Sequence, residues 1–357
     1  MMGLDVSFDI FIVIDLIIMS MLLVVGIALV RLNNLFAVVM LYGVYSLLAA
    51  IWFVSLDAVD VAFTEAAVGA GISTVLMLGA MLLTSREAKP TPALRRWLSL
   101  GVVGVTGMAL FYATFDMPNF GDANSPANSY VGLQYMYDTI TEVGVPNVVT
   151  AILASYRAFD TFGEVVVVLT AGLGVMLILG IGTTRTRDGE SPQSGDETTQ
   201  SAPPVTTVLA TENHHIVLQV VAKILIPIIV LYALYVQFHG DYGPGGGFQA
   251  GVIFASAVIL YSLIFGMDET RRAIPAKVVQ FGTALGVLIF GGLGLVTIAM
   301  GGKFLDYDVL TAADPILGQH VGILIIEVGV LVTVASVMLS IYYGFAGRYR
   351  ELKDQDW

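Results

Sequence analysis

The sequence predicts an all-α integral membrane protein of about nine transmembrane helices, with its amino terminus outside and its carboxyl terminus cytoplasmic. Three observations carry this. Hydrophobic residues make up 57% of the 357-residue chain and charged residues only 12%, against roughly 25% charged in soluble domains. Apolar stretches of bilayer-crossing length, about 20 residues, recur along it. Lys and Arg gather in alternate connecting segments, as the positive-inside bias requires. A soluble globular enzyme is excluded. With no cysteine, the chain has no disulfide, thiolate zinc site, iron–sulfur cluster or cysteine nucleophile, and its four histidines are His214, His215, His239 and His320. No cofactor, metal or catalytic constellation is expected.

The first span runs from about Phe8 to Val30. No Lys or Arg precedes it, it is too long for a signal-peptide core, and no small-residue cleavage site follows, so it is expected to be a retained helix. Further nearly uncharged stretches lie at about 33 to 55, 61 to 84, 97 to 115, 161 to 182, 216 to 238, 248 to 266, 278 to 300 and 319 to 343. The segment 97 to 115, with Gly101, Gly104 and Gly107, also suits an interfacial helix, but its length and lack of charge favour crossing. With the amino terminus outside, every basic residue except Arg157, Lys223 and Lys303 falls in an inner segment, and dropping any one span scrambles the pattern. The outer segments are acidic, holding Asp5, Asp9, Asp57, Asp60, Asp116, Asp122, Asp138, Glu142, Asp241, Asp306, Asp308 and Asp314. Such a face either concentrates cations near a pathway mouth or is a solvated surface in a salty medium. The net charge of −12 argues against nucleic acid.

Two stretches divide the chain. Residues 116 to 145 are rich in turn formers and contain a short segment, Tyr130 to Glu142, readable as a helix on the outer surface. Residues 183 to 210 are dense in Ser, Thr, Pro and Gly, as in a disordered cytoplasmic linker. The expected organisation is a three-helix domain over 1–96, a two-helix domain with an outer loop over 97–182, the linker at 183–210 and a four-helix domain over 211–357.

Chemistry is sought where charge is buried, because an ionisable group at bilayer depth costs at least about 2.5 kcal/mol. Asp15 lies about two turns into span one, Glu65 just inside span three, Asp160 and Glu164 one turn apart at the start of span five, Lys223 two turns into span six and Glu327 deep in span nine. For each the alternative is a structural role: snorkelling, capping a neighbour or pairing statically with another subunit. Gly69 and Gly71 follow Glu65 in a run of small residues that lets neighbouring backbones approach and weakens the helix where a bulge opens. An acid beside a loosened helix suits a gated proton element, whereas tight packing alone explains the glycines but not the acid. Between spans six and seven, His239-Gly-Asp241-Tyr-Gly243-Pro-Gly245-Gly246-Gly247 is a glycine loop. Gly245, Gly247 and Ala250 match a dinucleotide fingerprint by pattern only, with no strand before them. The loop either re-enters the membrane edge to present amides and carbonyls, or is a tight external turn.

The stretch Asp60-Val-Ala-Phe-Thr-Glu65-Ala-Ala-Val-Gly69-Ala-Gly71 resembles the third helix of the hydrogenase D-like domain at the carboxyl end of the large A subunit of Mrp-type sodium/proton antiporters. Asn147 through Glu164, with its Arg-x-Phe-Asp-Thr-x-x-Glu signature, is similar to the adjoining E-like domain. His215 through Gly266, with Lys223, Pro227 and the glycine loop, resembles the B subunit of the same antiporters. The large antiporter-like domain that precedes the D-like and E-like parts in that family is absent from this sequence. The resemblance implies a subunit of a multisubunit complex in the inner (plasma) membrane, related to membrane-bound hydrogenases and to the J subunit of respiratory NADH dehydrogenase. It further implies sodium and protons as the transported ions, and as partners a large antiporter-like subunit and a small C-type subunit. It would make Glu65, Asp160 and Glu164 acids of the ion path and Lys223 an intramembrane lysine, while Glu327 and Asp15 rest on depth alone. The alternatives are a membrane arm of a redox complex and a scaffold whose buried charges only bind neighbours.

Overall fold

The computed structural model describes residues 6–119, 122–179 and 216–355. The expected linker at 183–210 and the residues His214 and His215 lie outside them. Among the described residues nine helices are long and apolar enough to cross a membrane, and no strand forms.

The helices are α1 (Val6–Arg31), α2 (Leu35–Ser55), α3 (Val59–Met81) and α4 (Ala93–Ala113). A surface helix α5 covers 127–143, close to the segment expected from its sequence, and a short helix α6 covers 148–156. Then come α7 (Ala158–Ile178), α8 (Ile216–His239), α9 (Gly247–Phe265), the short α10 (Met267–Ala273), α11 (Ala276–Ala299) and α12 (Pro315–Gln355). Sequence signals set several of their ends. Asn34 and Asn147 cap α2 and α6 by accepting from Ala37 N and Val149 N, the role short polar side chains fill at helix starts. Span five begins at Ala158, earlier than the expected 161, because Arg157 (φ −123°, ψ 31°) breaks the chain between α6 and α7. Span nine extends beyond 319 to 343 at both ends.

The core sits around α12, which packs against α7, α9 and α11. Its backbone comes close to α11 where Gly286 faces Gly329 and Thr333, a crossing that any larger residue would push apart. Loop contacts sort the helix ends into two sets. At one end Leu35 N bonds Arg86 O and Ala88 N bonds Asn33 O, Gly79 abuts Phe345, and Arg271 reaches Tyr343 O. At the other, Asn147 N bonds Asp241 O and Gly245 N bonds Asp60 Oδ1. By contrast α4 is exposed along its whole length, and nothing lies within 4 Å of where side chains would stand at Gly101, Gly104 or Gly107.

Candidate functional site

Glu65 stands where α3 changes its winding. From Ala66 to Ile72 the helix opens into a π-helix before returning to α-helix at Ser73, as the glycines after Glu65 suggest. The wider turn folds the Glu65 carboxylate back over Gly69, and a Cβ there would lie 2.5 Å from Glu65 Oε1 and run into Ser46 Oγ. Ser46, on α2 and only 1% exposed, donates its hydroxyl to Glu65 Oε1. Glycine is therefore required at 69 by the Glu65–Ser46 contact itself. The serine lies nineteen residues upstream, and nothing in its own neighbourhood singles it out.

The glycine loop closes around Glu327, which is 8% exposed. Side chains at Gly240 or Gly246 would lie 3.0 or 3.1 Å from Glu327 Oε1, and Gly246 has a φ of 115° that L side chains rarely adopt. The loop is thus no plain external turn; it lays its backbone on a carboxylate buried inside the helix bundle. Gln237 Nε2 donates to Glu327 Oε2 at 3.5 Å. Asn147 fastens the loop from outside, its Nδ2 donating to Gly240 O and Gly243 O at 3.0 Å, with Thr150 Oγ1 donating to Gly240 O at 2.6 Å. Asp241 faces His320 Nδ1 at 3.3 Å. His239 stacks on Tyr235, ring centroids 4.9 Å apart. Gly245 N donates to Asp60 Oδ1 at 3.3 Å, and Gln249 Nε2 donates to Thr64 Oγ1 at 2.9 Å. The loop and the first turn of α9 therefore touch α3 within one residue of Glu65, so the surroundings of Glu65 and Glu327 are joined by a polar seam. The pattern resembling a dinucleotide fingerprint is part of this seam.

The remaining predicted residues lie elsewhere. Arg157 pairs with Asp160, Nε to Oδ2 at 2.6 Å, with the two side chains 61% and 50% exposed. Glu164, one turn on, is exposed. Nearby, Tyr156 donates to Glu142 Oε2 at 2.7 Å, and burial with the Glu142 carboxylate pushes the Tyr156 phenol up. Asp15 accepts from Ser55 Oγ at 2.5 Å, apart from the seam. Lys223 is exposed on α8, next to the buried Ala222. Residues that the sequence did not mark for the site are Ser46, Asp60, Thr64, Gln237, Gln249 and the chain Ser155–Gln319–Asp308, with both bonds 2.7 Å. The neutral ones carry no depth signal, and Asp60 and Asp308 counted in the sequence only as outer-face acids, so only the fold finds them. No three His, Asp or Glu side chains are placed to hold a metal among the described residues.

Three family models match the chain. One is described as a domain related to the MnhB subunit of Na+/H+ antiporter and covers 217–340; the MbhD and MbhE models, described as the D and E subunits of MBH, cover 20–86 and 94–187. Over 138 residues the sequence is 33% identical to a protein named antiporter subunit mnhB2 of Staphylococcus aureus (strain Newman), covering 38% of this chain and 97% of the relative. The same identity and coverage recur with mnhB2 of strain COL. A solved chain of the Mrp complex from Dietzia sp. DQ12-45-1b superposes with a TM-score of 0.69 at 27% identity, covering 92% of this chain. This chain spans 34% of that one, about a third of its length.

Proposed function

This chain belongs to the Mrp-type family of antiporter subunits, joining MbhD-, MbhE- and MnhB-related domains, and from that premise we propose that it is a membrane subunit through which a monovalent cation, sodium, is exchanged for protons. Its buried acids line part of the ion path, and a large antiporter-like subunit and a small C-type subunit complete the complex in the plasma membrane. The observation that carries this reading is Glu65, a membrane-embedded carboxylate held by Ser46 at the start of a π-helix. A π-turn has a nearby α-helical alternative, and π-bulges inside helices are frequent at functional sites. Rewinding Ala66–Ile72 would swing Glu65 off Ser46, giving the acid two positions. The seam through Thr64 and Gln249 supplies a polar route from there toward Glu327.

The test is Glu65→Gln, which keeps shape and hydrogen bonding but removes the titrating group. Assembly should survive while sodium/proton exchange in vesicles falls at least about tenfold, equivalent to about 1.4 kcal/mol in barrier. Wild-type exchange in an assembled mutant eliminates the role. The matches to MbhD and MbhE favour a second reading, a membrane arm coupling a partner's electron transfer to ion movement. Hydrogenase or dehydrogenase subunits in the complex purified with this chain would select it.

A further inference from the structure

Gln237 on α8 and Glu327 on α12 meet inside the helix bundle, 2% and 8% exposed. Their one hydrogen bond is long, 3.5 Å from Gln237 Nε2 to Glu327 Oε2, and Gln237 Oε1, fully shielded from solvent, has no partner. No Lys or Arg forms an ion pair with Glu327 among the described residues. The site therefore sets a carboxylate beside an amide whose nitrogen faces it and whose oxygen is orphaned, with no cationic side chain paired to either among the described residues. Buried polar atoms are almost always satisfied in native proteins, so an orphan of this kind calls for an explanation.

The chemistry of the walls narrows the occupant. The donor atoms are hard oxygens, with no thiolate, which suits an alkali or alkaline-earth cation rather than a transition metal. Divalent calcium recruits six to eight oxygens, commonly from several carboxylates. Here there is one carboxylate, beside Gly246 at the amino-terminal end of α9, whose dipole already supplies partial positive charge. A single positive charge is the better match. Gly240 and Gly246 close the site with backbone alone and send no side chain into it. The charged and titratable groups around it are Asp241 on the loop, His320 on α12 paired with Asp241, His239 at the end of α8 and Asp60 on α3 behind Gly245.

We propose that Glu327 and Gln237 form a binding site for a monovalent cation, which alternates there with a proton carried by Glu327. This rests on the reading of the chain as a transport subunit and adds to it a place where the two ions compete, on the MnhB-related domain and away from Glu65.

Infrared difference spectroscopy of the purified complex containing the full chain tests it, with sodium exchanged against choline as the probe. Sodium should abolish a protonated-carboxyl C=O band that is missing from Glu327→Gln. In Gln237→Leu the band should still titrate with pH but require at least tenfold more sodium, and Gln237→Asn, which keeps the amide oxygen, should restore part of the affinity. Variants are compared as assembled complexes of wild-type size. A Glu327 band that responds to pH but not to sodium means that water fills the site, and overturns the proposal. Unchanged sodium sensitivity in Gln237→Leu overturns it as well. Normal vesicle exchange with a sodium-indifferent Glu327 sinks the site alone, whereas a sodium-sensitive band in a complex that exchanges nothing sinks the transport reading and leaves the site standing.

Discussion

Gly69 shows how one missing side chain fixes the position of a charge. A methyl group at 69 would collide with Ser46 Oγ and press on Glu65 Oε1, so Gly69→Ala must separate the serine from the acid or push α2 from α3. Overpacking of this kind costs typically about 1–3 kcal/mol. Gly69→Ala should lower the thermal midpoint of the complex and impair exchange together, and Ser46→Ala in the same chain should recover stability by removing the nearer obstacle, without recovering exchange, because Glu65 still lacks its donor. Recovery of both would reduce Ser46 to packing. The acid was legible in the sequence because charge at bilayer depth is conspicuous. Its partner was not, since a serine in an apolar helix is ordinary until the fold sets it against a carboxylate. The same holds for Gln237, ninety residues from Glu327.

Helices of crossing length are readable from hydropathy, and all nine windows fall on helices. Short elements escape, as α6 does with only nine residues from 148 to 156, too few for a hydropathy window. Its amino-terminal signal, Asn147, is present in the sequence, yet the break at Arg157 depends on backbone angles that composition does not encode. That break places Arg157 over Asp160 at the start of α7, in an exposed pair of the kind worth about 0–1 kcal/mol. Glu164 lies one turn further on the same face. If Asp160 and Glu164 form one ion site, each single neutralisation should shift the pH optimum of vesicle exchange, and the double variant should lose less than the product of the two. If Arg157 merely locks Asp160 while Glu164 faces another subunit, Asp160→Asn should impair assembly, Glu164→Gln should leave the pH profile unmoved, and the effects should add. The pH profiles of the three variants, normalised to assembled complex, separate the two.

At the scale of the molecule, the alternation of basic loops read from the sequence meets an independent constraint in the fold. The loop after α1 pairs its backbone with the segment after α3, Gly79 near the end of α3 abuts Phe345 near the end of α12, and Arg271 between α9 and α11 reaches the same end of α12. The glycine loop, the start of α3 and Asn147 meet at the opposite end. An odd number of spans must then separate Asn34 from the glycine loop, and α2 through α8 supply five, because α5 and α6 are too short to cross. The basic residues Arg31, Arg86, Arg271 and Arg348 all belong to the first end, so the positive-inside bias predicts a cytoplasmic side for that end. Topology reporters at Gln193 and at Trp357 should therefore both read cytoplasmic, while one placed at Asn124, in the segment between α4 and α5, should read external. A reversed signal at all three would invert the molecule while keeping its fold. A split between Gln193 and Trp357 would be the graver result, because the four long helices from α8 to α12 that separate them would then not all cross the membrane.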